Sequence, residues 1–515
     1  TMLLARASAR EREMAIRVAV GASRVRLLRQ SLTESVVLSI FGAGAGTVLA
    51  IWAIDLVKSI GTQTIPRLSE VQIDSTVLLV TLLVAIGTGL IFGIVPGLAS
   101  SKLDLTESLK EGGRGSTSGR RHNRLRNALV IGEVALALVL LTGAGLLLKS
   151  FVRLQNVNPG FNPKNVLTAE ISLPALRYPD NQSQVNFFSE LTRRIERLPG
   201  VKQTGLTIIL PMSGMNSDSS FRIEGRPSDD AHPMPDEEIR LVSADYFRTL
   251  EIPLLKGRFF NAGDKLDAPP VVLINQALAQ RYWPNEEPIG KRIRLPQSEK
   301  PVWATIIGIV GDLHHRGLDQ PVKPEFYVAL SQFPYSAAIL AVRSTQDPIS
   351  LTSAIRREVQ SIDPAQPIAH VRTLEQVIAD SVAPRKLSVV LLAAFAAIAL
   401  VLASVGIYGV MSFLVVQRTH EIGVRMALGA QRSDVFRLVI SHAGILIGAG
   451  TLLGLIVALL ITSALRSALY EVSALDLPTF LFVTLALALV AFVASYIPAR
   501  RATRADPMIA LGHVQ

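Results

Sequence analysis

Six stretches of this chain are long and apolar enough to cross a hydrocarbon core: 31–57, 76–98, 128–149, 387–416, 435–465 and 477–498. A helix needs about 20 such residues for the crossing. Lipid offers backbone groups no partners, so each run has to close its own hydrogen bonds as a helix. Of the 515 residues, 49% are hydrophobic and 18% charged, a balance that sets aside a string of soluble domains. The net charge of +11 would suggest nucleic acid on a soluble chain, but here the surplus collects at the ends of the apolar stretches. Cysteine is absent, which excludes disulfides, thiol catalysis and Cys-based zinc or iron–sulfur sites.

Lys and Arg fix the orientation. One side of the membrane receives Arg10, Arg12, Arg17, Arg24, Arg26 and Arg29, then Lys102 to Arg126, then Arg418, Arg425, Arg432, Arg500, Arg501 and Arg504. The opposite short loops, 58–75 and 466–476, hold only Lys58, Arg67 and Arg466. The positive-inside rule makes the rich side cytoplasmic and places 150–386 outside.

Within the rich side, REREMAIRVAVGASR at Arg10–Arg24 has a second copy, RTHEIGVRMALGAQR, at Arg418–Arg432. One register shift lays Arg10, Glu13, Arg17 and Gly21 on Arg418, Glu421, Arg425 and Gly429. Neither copy contains Pro, and both read as helix. On a helix, Arg10, Glu13, Arg17 and Arg24 share a stripe, with Glu13 and Arg17 spaced to pair at i, i+4. Each copy runs into an apolar span. Pro96 and Pro498 each close a later span, and Asp104 and Leu109 match Asp506 and Leu511 under one further shift. The chain therefore reads as an internal duplication. A short charged helix at the mouth of a span, present twice, suits docking by a soluble partner.

These paired segments resemble the MacB/FtsX-type permeases of ABC transporters, in particular the internally duplicated class. The resemblance implies that both are coupling helices contacting a cytoplasmic ABC ATPase subunit, through Arg10, Glu13, Arg17, Gly21, Arg418, Glu421, Arg425 and Gly429. It also implies that a first span, an extracytoplasmic domain and most of a second span precede Thr1. The expected fold is an α-helical polytopic membrane protein with about six transmembrane helices, in duplicated FtsX-like modules, plus one α/β (α+β) MacB-like extracytoplasmic domain. The parts are a first FtsX-like module with two spans (1–110), a basic cytoplasmic linker (111–127), a transmembrane helix (128–149), the periplasmic core domain (150–386), and a second module with three spans (387–515).

In 151–386, strand-like runs at Val166–Leu173, Val271–Ile274, Thr305–Val310 and Ile339–Val342 interleave with helical spacing at Val185–Leu198, Gln276–Tyr282 and Leu351–Ile362. Here Val242–Phe260, Val272–Leu295, Ile307–Leu330 and Pro364–Val377 look like the MacB-type periplasmic core domain. The linker Gly112–Arg126, GGRGSTSGRRHNRLR, is Gly/Ser-rich and basic and reads as a flexible segment held by lipid phosphates. It has no aromatic residue to stack on bases, so nucleic acid is not expected as a partner.

Catalytic chemistry is not expected. The one Gly-Lys dipeptide, Gly290-Lys291, precedes Arg292 rather than Ser or Thr, so no P-loop is present, no cofactor is expected and ATP would be bound by the partner subunit. Gly42, Gly44 and Gly46, like Gly444, Gly448, Gly450 and Gly454, lie inside spans and read as close-packing positions. Adjacent His314 and His315 would point to opposite faces of a strand and share no metal. Asp236, Glu237 and Glu238 look solvated in a Pro-rich stretch. Glu34 and His442 fall near cytoplasmic span ends, and Glu133 about two turns in, as a helix–helix contact; a proton-coupled pump would need more. Two functional classes remain. One is efflux or export across the cell envelope, with membrane lipids around the chain and a periplasmic adaptor and outer-membrane channel as further partners, from the bacterial inner (cytoplasmic) membrane. The other is signalling to an extracytoplasmic enzyme such as a cell-wall hydrolase.

Overall fold

A computed structural model describes residues 23–61, 71–101, 117–227, 234–295, 302–417, 424–426, 428, 431–464 and 469–503. The chain divides into two compact units, Thr1–Val152 with Arg385–Gln515, and Arg153–Pro384.

The first unit is helical. Its described elements are α1 (Arg24–Gly61), α2 (Ser75–Ser101), α3 (Thr117–Gln155), α8 (Leu374–Gln417), α9 (Arg432–Ala464) and α10 (Leu477–Ala502), of which α3 and α8 continue past the unit boundary. Five contain segments long and apolar enough to span a membrane: Leu32–Asp55, Arg126–Gln155, Leu374–Val416, Arg432–Thr462 and Leu477–Arg501. The sixth expected span lies in α2, whose described apolar part, Ser75–Ile91, is shorter. The linker expected to be flexible is helical from Thr117 onward. It contains no Pro, and extending a long helix costs far less than nucleating a new one.

Four helices pack through stripes repeating every four residues: Val130, Val134 and Leu138 on α3; Ala399, Ala403 and Ile407 on α8; Val439 and Ala443 on α9; Val483, Leu487 and Ala491 on α10. That spacing puts each set on one face. Lipid tails are as apolar as Leu, so such contacts hold by close fit rather than by escape from water. Small residues decide the fit. A Cβ on Gly450 would meet Val134 Cβ at 2.8 Å and the Ile131 carbonyl at 3.0 Å; one on Gly454 would meet Ala135 Cα and O at 3.0 Å.

The expectation that every span glycine seats a neighbour is corrected here. No described atom lies within 4 Å of a Cβ built on Gly42, Gly44, Gly46, Gly444 or Gly448. Gly42 and Gly46 are the repeat equivalents of Gly450 and Gly454, so the stripe is shared by the two modules while its contacts are not. In the α1–α2 hairpin the close approach falls instead on Gly89, against Val36 Cα and Ser39 Oγ at 2.9 Å. Composition marks small residues; which of them face a helix depends on rotation about the axis.

The second unit carries one twelve-stranded mixed sheet. Its strands are β1 (Val166–Ser172), β2 (Val201–Thr207), β3 (Asp218–Ser220), β4 (Arg222–Ile223), β5 (Asp236–Val242), β6 (Leu254–Gly257), β7 (Val271–Asn275), β8 (Arg292–Leu295), β9 (Val302–Val310), β10 (Glu325–Ala329), β11 (Ala337–Ser344) and β12 (Ala369–Thr373). Its helices are α4 (Asn181–Glu196), α5 (Tyr246–Thr249), α6 (Gln276–Tyr282) and α7 (Thr352–Ile362). The strand order is β12-β1-β11-β2-β5-β10-β7-β9-β8-β4, with β3 on β5 and β6 on β9. Strands β5 and β10 run parallel, as do β7 and β9. Between β2 and β5 the ladder is a single pair, Thr207↔Val242, so the sheet has a seam there.

Helix α4 starts where the Asp180 carboxylate accepts from Ser183 N at 2.8 Å, an N-cap that satisfies one orphan amide. It buries Phe187, Phe188, Leu191 and Ile195 on the sheet. Each such side chain stabilises by roughly 1.5–3 kcal/mol before chain entropy is charged against it. Helix α7 adds Ile355 and Val359 from a single face. Gly205 on β2 has no room for a side chain, since a Cβ would meet Tyr246 Cα of α5 at 2.8 Å.

Candidate functional site

The segment joining α8 to α9 carries the second copy of the repeated basic segment. Its described part is a single turn, in which Leu428 N donates to the Val424 carbonyl at 3.0 Å. Arg425 and Leu428 are exposed there, Leu428 at 82%. Helix α9 then begins with Gln431 N donating to Asp434 Oδ2 at 3.0 Å, the return arm of a capping box. Arg10, Glu13, Arg17, Gly21, Arg418, Glu421 and Gly429 lie outside the described residues. A basic and an apolar side chain are thus presented together on a turn between two spans.

Polar ties hold both ends of the helix bundle. At the outer end, Lys149 of α3 donates to both carboxylate oxygens of Asp476 at 2.7 and 2.8 Å. Asp476 also caps α10 by accepting from Thr479 N at 3.2 Å and its hydroxyl at 2.6 Å. At the inner end, the Arg126 guanidinium lies 4.3 Å from the centre of the Phe413 ring on α8, and Arg501 donates to Tyr408 Oη at 3.1 Å. Helix α8 is thus gripped by α3 and α10 close to its cytoplasmic end. Glu133 is seated on α8 as well, its carboxylate against Gly406. That fits the expected helix–helix contact.

The extracytoplasmic end of α8 follows directly on β12. Its start is a capping box: Gln376 N donates to Thr373 Oγ1 at 3.1 Å, and Thr373 N donates to Gln376 Oε1 at 2.9 Å. On the entry side, buried Arg343 donates to the carbonyls of Asn162, Lys164 and Thr249 at 2.7, 2.9 and 2.6 Å. One guanidinium therefore fixes the segment leading from α3 into β1. Nothing in its local sequence separates Arg343 from a solvated arginine; only its place at the end of the continuous apolar run of β11 hints at burial.

Of the three carboxylates expected to be solvated, Asp236 is exposed, but Glu237 and Glu238 are corrected, being 5% and 1% exposed. Both lie on β5, a central strand, so the Pro-rich approach misled. Glu238 stands beside Glu325 in the parallel ladder, and Arg240 bridges them, bonding Glu238 and reaching Glu325 Oε1 at 3.5 Å. Arg316 bonds the other oxygen of Glu238, and Tyr327 donates to Glu325 Oε2 at 2.6 Å. His315 is buried in a loop, with Nδ1 3.3 Å from Glu325 Oε1, while His314 meets the Gln320 carbonyl. Burial opposes ionisation of Glu325, but His315 and Arg240 overcome it and hold the carboxyl at about 2. Burial and the neighbouring Glu325 raise Glu238 instead. This is a structural ion network; the two histidines face different surroundings, and the described residues contain no group of three metal-ligating side chains.

Asp264 supplies a pH-dependent tie. It accepts from both terminal nitrogens of Arg258, at 2.7 and 2.9 Å, and from Asn261 N at 2.9 Å. The Arg258 bonds hold its carboxyl below the usual range. A depressed carboxyl contributes stability above its unfolded value, lost as pH falls through the folded one. Asp264→Asn is expected to cost about 1–2 kcal/mol at pH 7, since Arg258 is partly exposed, and nothing well below pH 4. Thermal unfolding at both pH values, in detergent, checks this.

The model of the FtsX-like permease C-terminal region matches residues 1–105 and again 393–507, and that of the MacB-like periplasmic core domain matches 128–358. The chain belongs to the MacB/FtsX-type ABC transporter permeases. Among curated relatives, this FtsX-like permease is 28% identical over 275 residues to the pyoverdine export ATP-binding/permease protein PvdT of Pseudomonas syringae pv. syringae, a match covering 50% of this chain and 40% of that protein. It is 24% identical over 287 residues to the macrolide export ATP-binding/permease protein MacB of Marinobacter nauticus, covering 53% and 43%. The matched parts are thus under half the length of either relative. The crystal structure of the periplasmic region of MacB from Actinobacillus actinomycetemcomitans matches at 13% identity and TM-score 0.30, over 44% of this chain and 95% of that one. The FtsX-like permease is a polytopic membrane protein with a mixed α/β extracytoplasmic domain.

Proposed function

We propose that this chain is the membrane subunit of an ABC system that turns ATP hydrolysis by a separate ATPase into movement of the extracytoplasmic domain, for efflux or export at the bacterial inner membrane. The observation that carries the reading is the duplicated basic segment, each copy opening on a span, with Arg425 and Leu428 presented between α8 and α9. ATP binding by the partner displaces the two segments. Helix α8 relays the displacement, because α3 and α10 grip it near the docking turn and its other end continues from β12. The substrate need not thread the helices; movement outside suffices to expel it. The size of the extracytoplasmic domain supports export over signalling, since a regulator can manage with a smaller one.

The topology is testable with single cysteines, because the chain has none of its own. Leu428→Cys and Leu176→Cys, at positions 82% and 98% exposed, are expected to lie on opposite sides of the membrane. A membrane-impermeant maleimide added to spheroplasts should label only Leu176→Cys. Labelling of both would end the proposal.

A further inference from the structure

A cavity of about 370 Å³ opens in the extracytoplasmic domain at the seam of the sheet. One wall is α4 with Phe188 and Thr192, and β2 contributes Leu206. The other wall comes from loops after the parallel strands β5 and β10, with Leu330 and Tyr335, and from the 261–265 loop with Lys265. Its volume lies within the range of small-molecule sites, roughly 300–1,000 Å³, and such sites favour the junction of two structural halves and the carboxyl ends of parallel strands. The junction is thin. The ladder between the halves is the pair Thr207↔Val242, extended by Ser243 N donating to the Leu206 carbonyl and Leu206 N to Ser243 Oγ, both at 2.9 Å.

The lining specifies a chemical class. Phe188, Leu206 and Leu330 are each less than 10% exposed and form an apolar floor, and Tyr335, half-exposed, offers a ring at the mouth. The other rim charges are already engaged: Arg193 with Glu190, Asp245 with Arg248 and Asp264 with Arg258, while the Glu196 carboxylate accepts from the Thr204 hydroxyl at 2.8 Å. Lys265 differs, having no ion pair among the described residues, and it stands on a loop held by the Asp264–Arg258 pair. An apolar floor with one available cation suits a compact molecule with a ring-sized apolar body and one acidic group.

Chain order adds a mechanical point. The half with β12, β1, β11 and β2 receives the chain from α3 and returns it to α8, whereas the half beginning at β5 is joined through the seam. Movement delivered through α8 reaches the first half before the second, so it changes the shape of a cavity that spans both.

We infer that this seam cavity is a binding site for compact amphipathic anions, and so the place where the proposed exporter takes up or releases its substrate. Only the second clause rests on the transport reading.

The test uses the full chain in nanodiscs, with 2-naphthoate as probe and maleimide labelling of a cysteine at Thr192→Cys, in the cavity wall. The probe is expected to slow labelling there and to leave Leu176→Cys, outside the lining, unaffected. Lys265→Ala is expected to weaken the protection about tenfold, as loss of one charge-assisted contact would. Absence of protection at millimolar probe, equal protection by uncharged 2-naphthylmethanol, or unchanged protection in Lys265→Ala would each overturn the inference. No ATPase enters the readout, so its failure leaves the coupling proposal standing, and failed coupling leaves the cavity standing.

Discussion

Arg240→Ala is expected to be the most destabilising single change in the extracytoplasmic domain. Arg240, Glu238 and Glu325 are each about 1% exposed, and the guanidinium is the buried cation that bridges the two carboxylates. Removing one partner of a buried ion pair typically costs about 3–5 kcal/mol, because the remaining charge keeps its desolvation penalty and loses its compensation. Here two carboxylates, adjacent in the β5–β10 ladder, would repel across the gap. Arg316 still reaches Glu238 from the surface, and Tyr327 and His315 still face Glu325, but none of them bridges the two carboxylates. Glu238→Gln should cost less, since burial already raises that carboxyl towards its neutral form. Thermal unfolding and hydrogen exchange at β5 and β10 check the order; an Arg240→Ala protein as stable as wild type would show the network to be idle.

The second large effect is expected in the membrane. Gly454→Val places a branched side chain against Ala135 Cα and O and Leu138 Cβ, all within 3.1 Å of a bare Cβ. Backbone atoms cannot rotate aside, so α3 and α9 must separate, and overpacking of this kind costs about 1–3 kcal/mol. The stripe formed by Val130, Val134 and Leu138 loses its fit at the same time. Gly444→Ala and Gly448→Ala, on the same helix, meet no described atom within 4 Å and should leave stability unchanged or slightly raised. Resistance to unfolding in detergent separates the two classes. Equal behaviour of Gly454→Val and Gly448→Ala would mean that α9 packs on α3 through a different face.

Much of this was legible in the residues because one signal dominated. Long apolar runs have a single physical outcome, and Gln276–Tyr282 and Val166–Ser172 follow from their spacing alone. The misses have a common cause. Glu237 and Glu238 look solvated because charge is read locally, while their burial depends on β10 arriving alongside β5, nearly ninety residues later in the chain. β2, β5 and β10 carry Lys, Glu and Arg, which blur the alternation that exposes a strand. Arg343 escaped for the same reason: a carbonyl cluster exists only after α5 and the 162–164 segment fold around it. The span glycines erred in the opposite direction, since a stripe of small residues is visible in sequence and the neighbour that uses it is not. For the docking residues, the pairing of Arg10, Glu13, Arg17 and Gly21 with Arg418, Glu421, Arg425 and Gly429 remains a statement about sequence. The structure contributes the exposed Arg425 and the grip on α8 behind it.

The central claim, that an ATPase drives this permease by pushing on both basic segments, is met most directly by reversing their charge. In nanodiscs with the cognate ATPase, Arg17→Glu combined with Arg425→Glu is expected to abolish stimulation of ATP hydrolysis by the permease while the double variant still inserts and unfolds like wild type. Undiminished stimulation and undiminished ATPase binding in that variant would contradict the account.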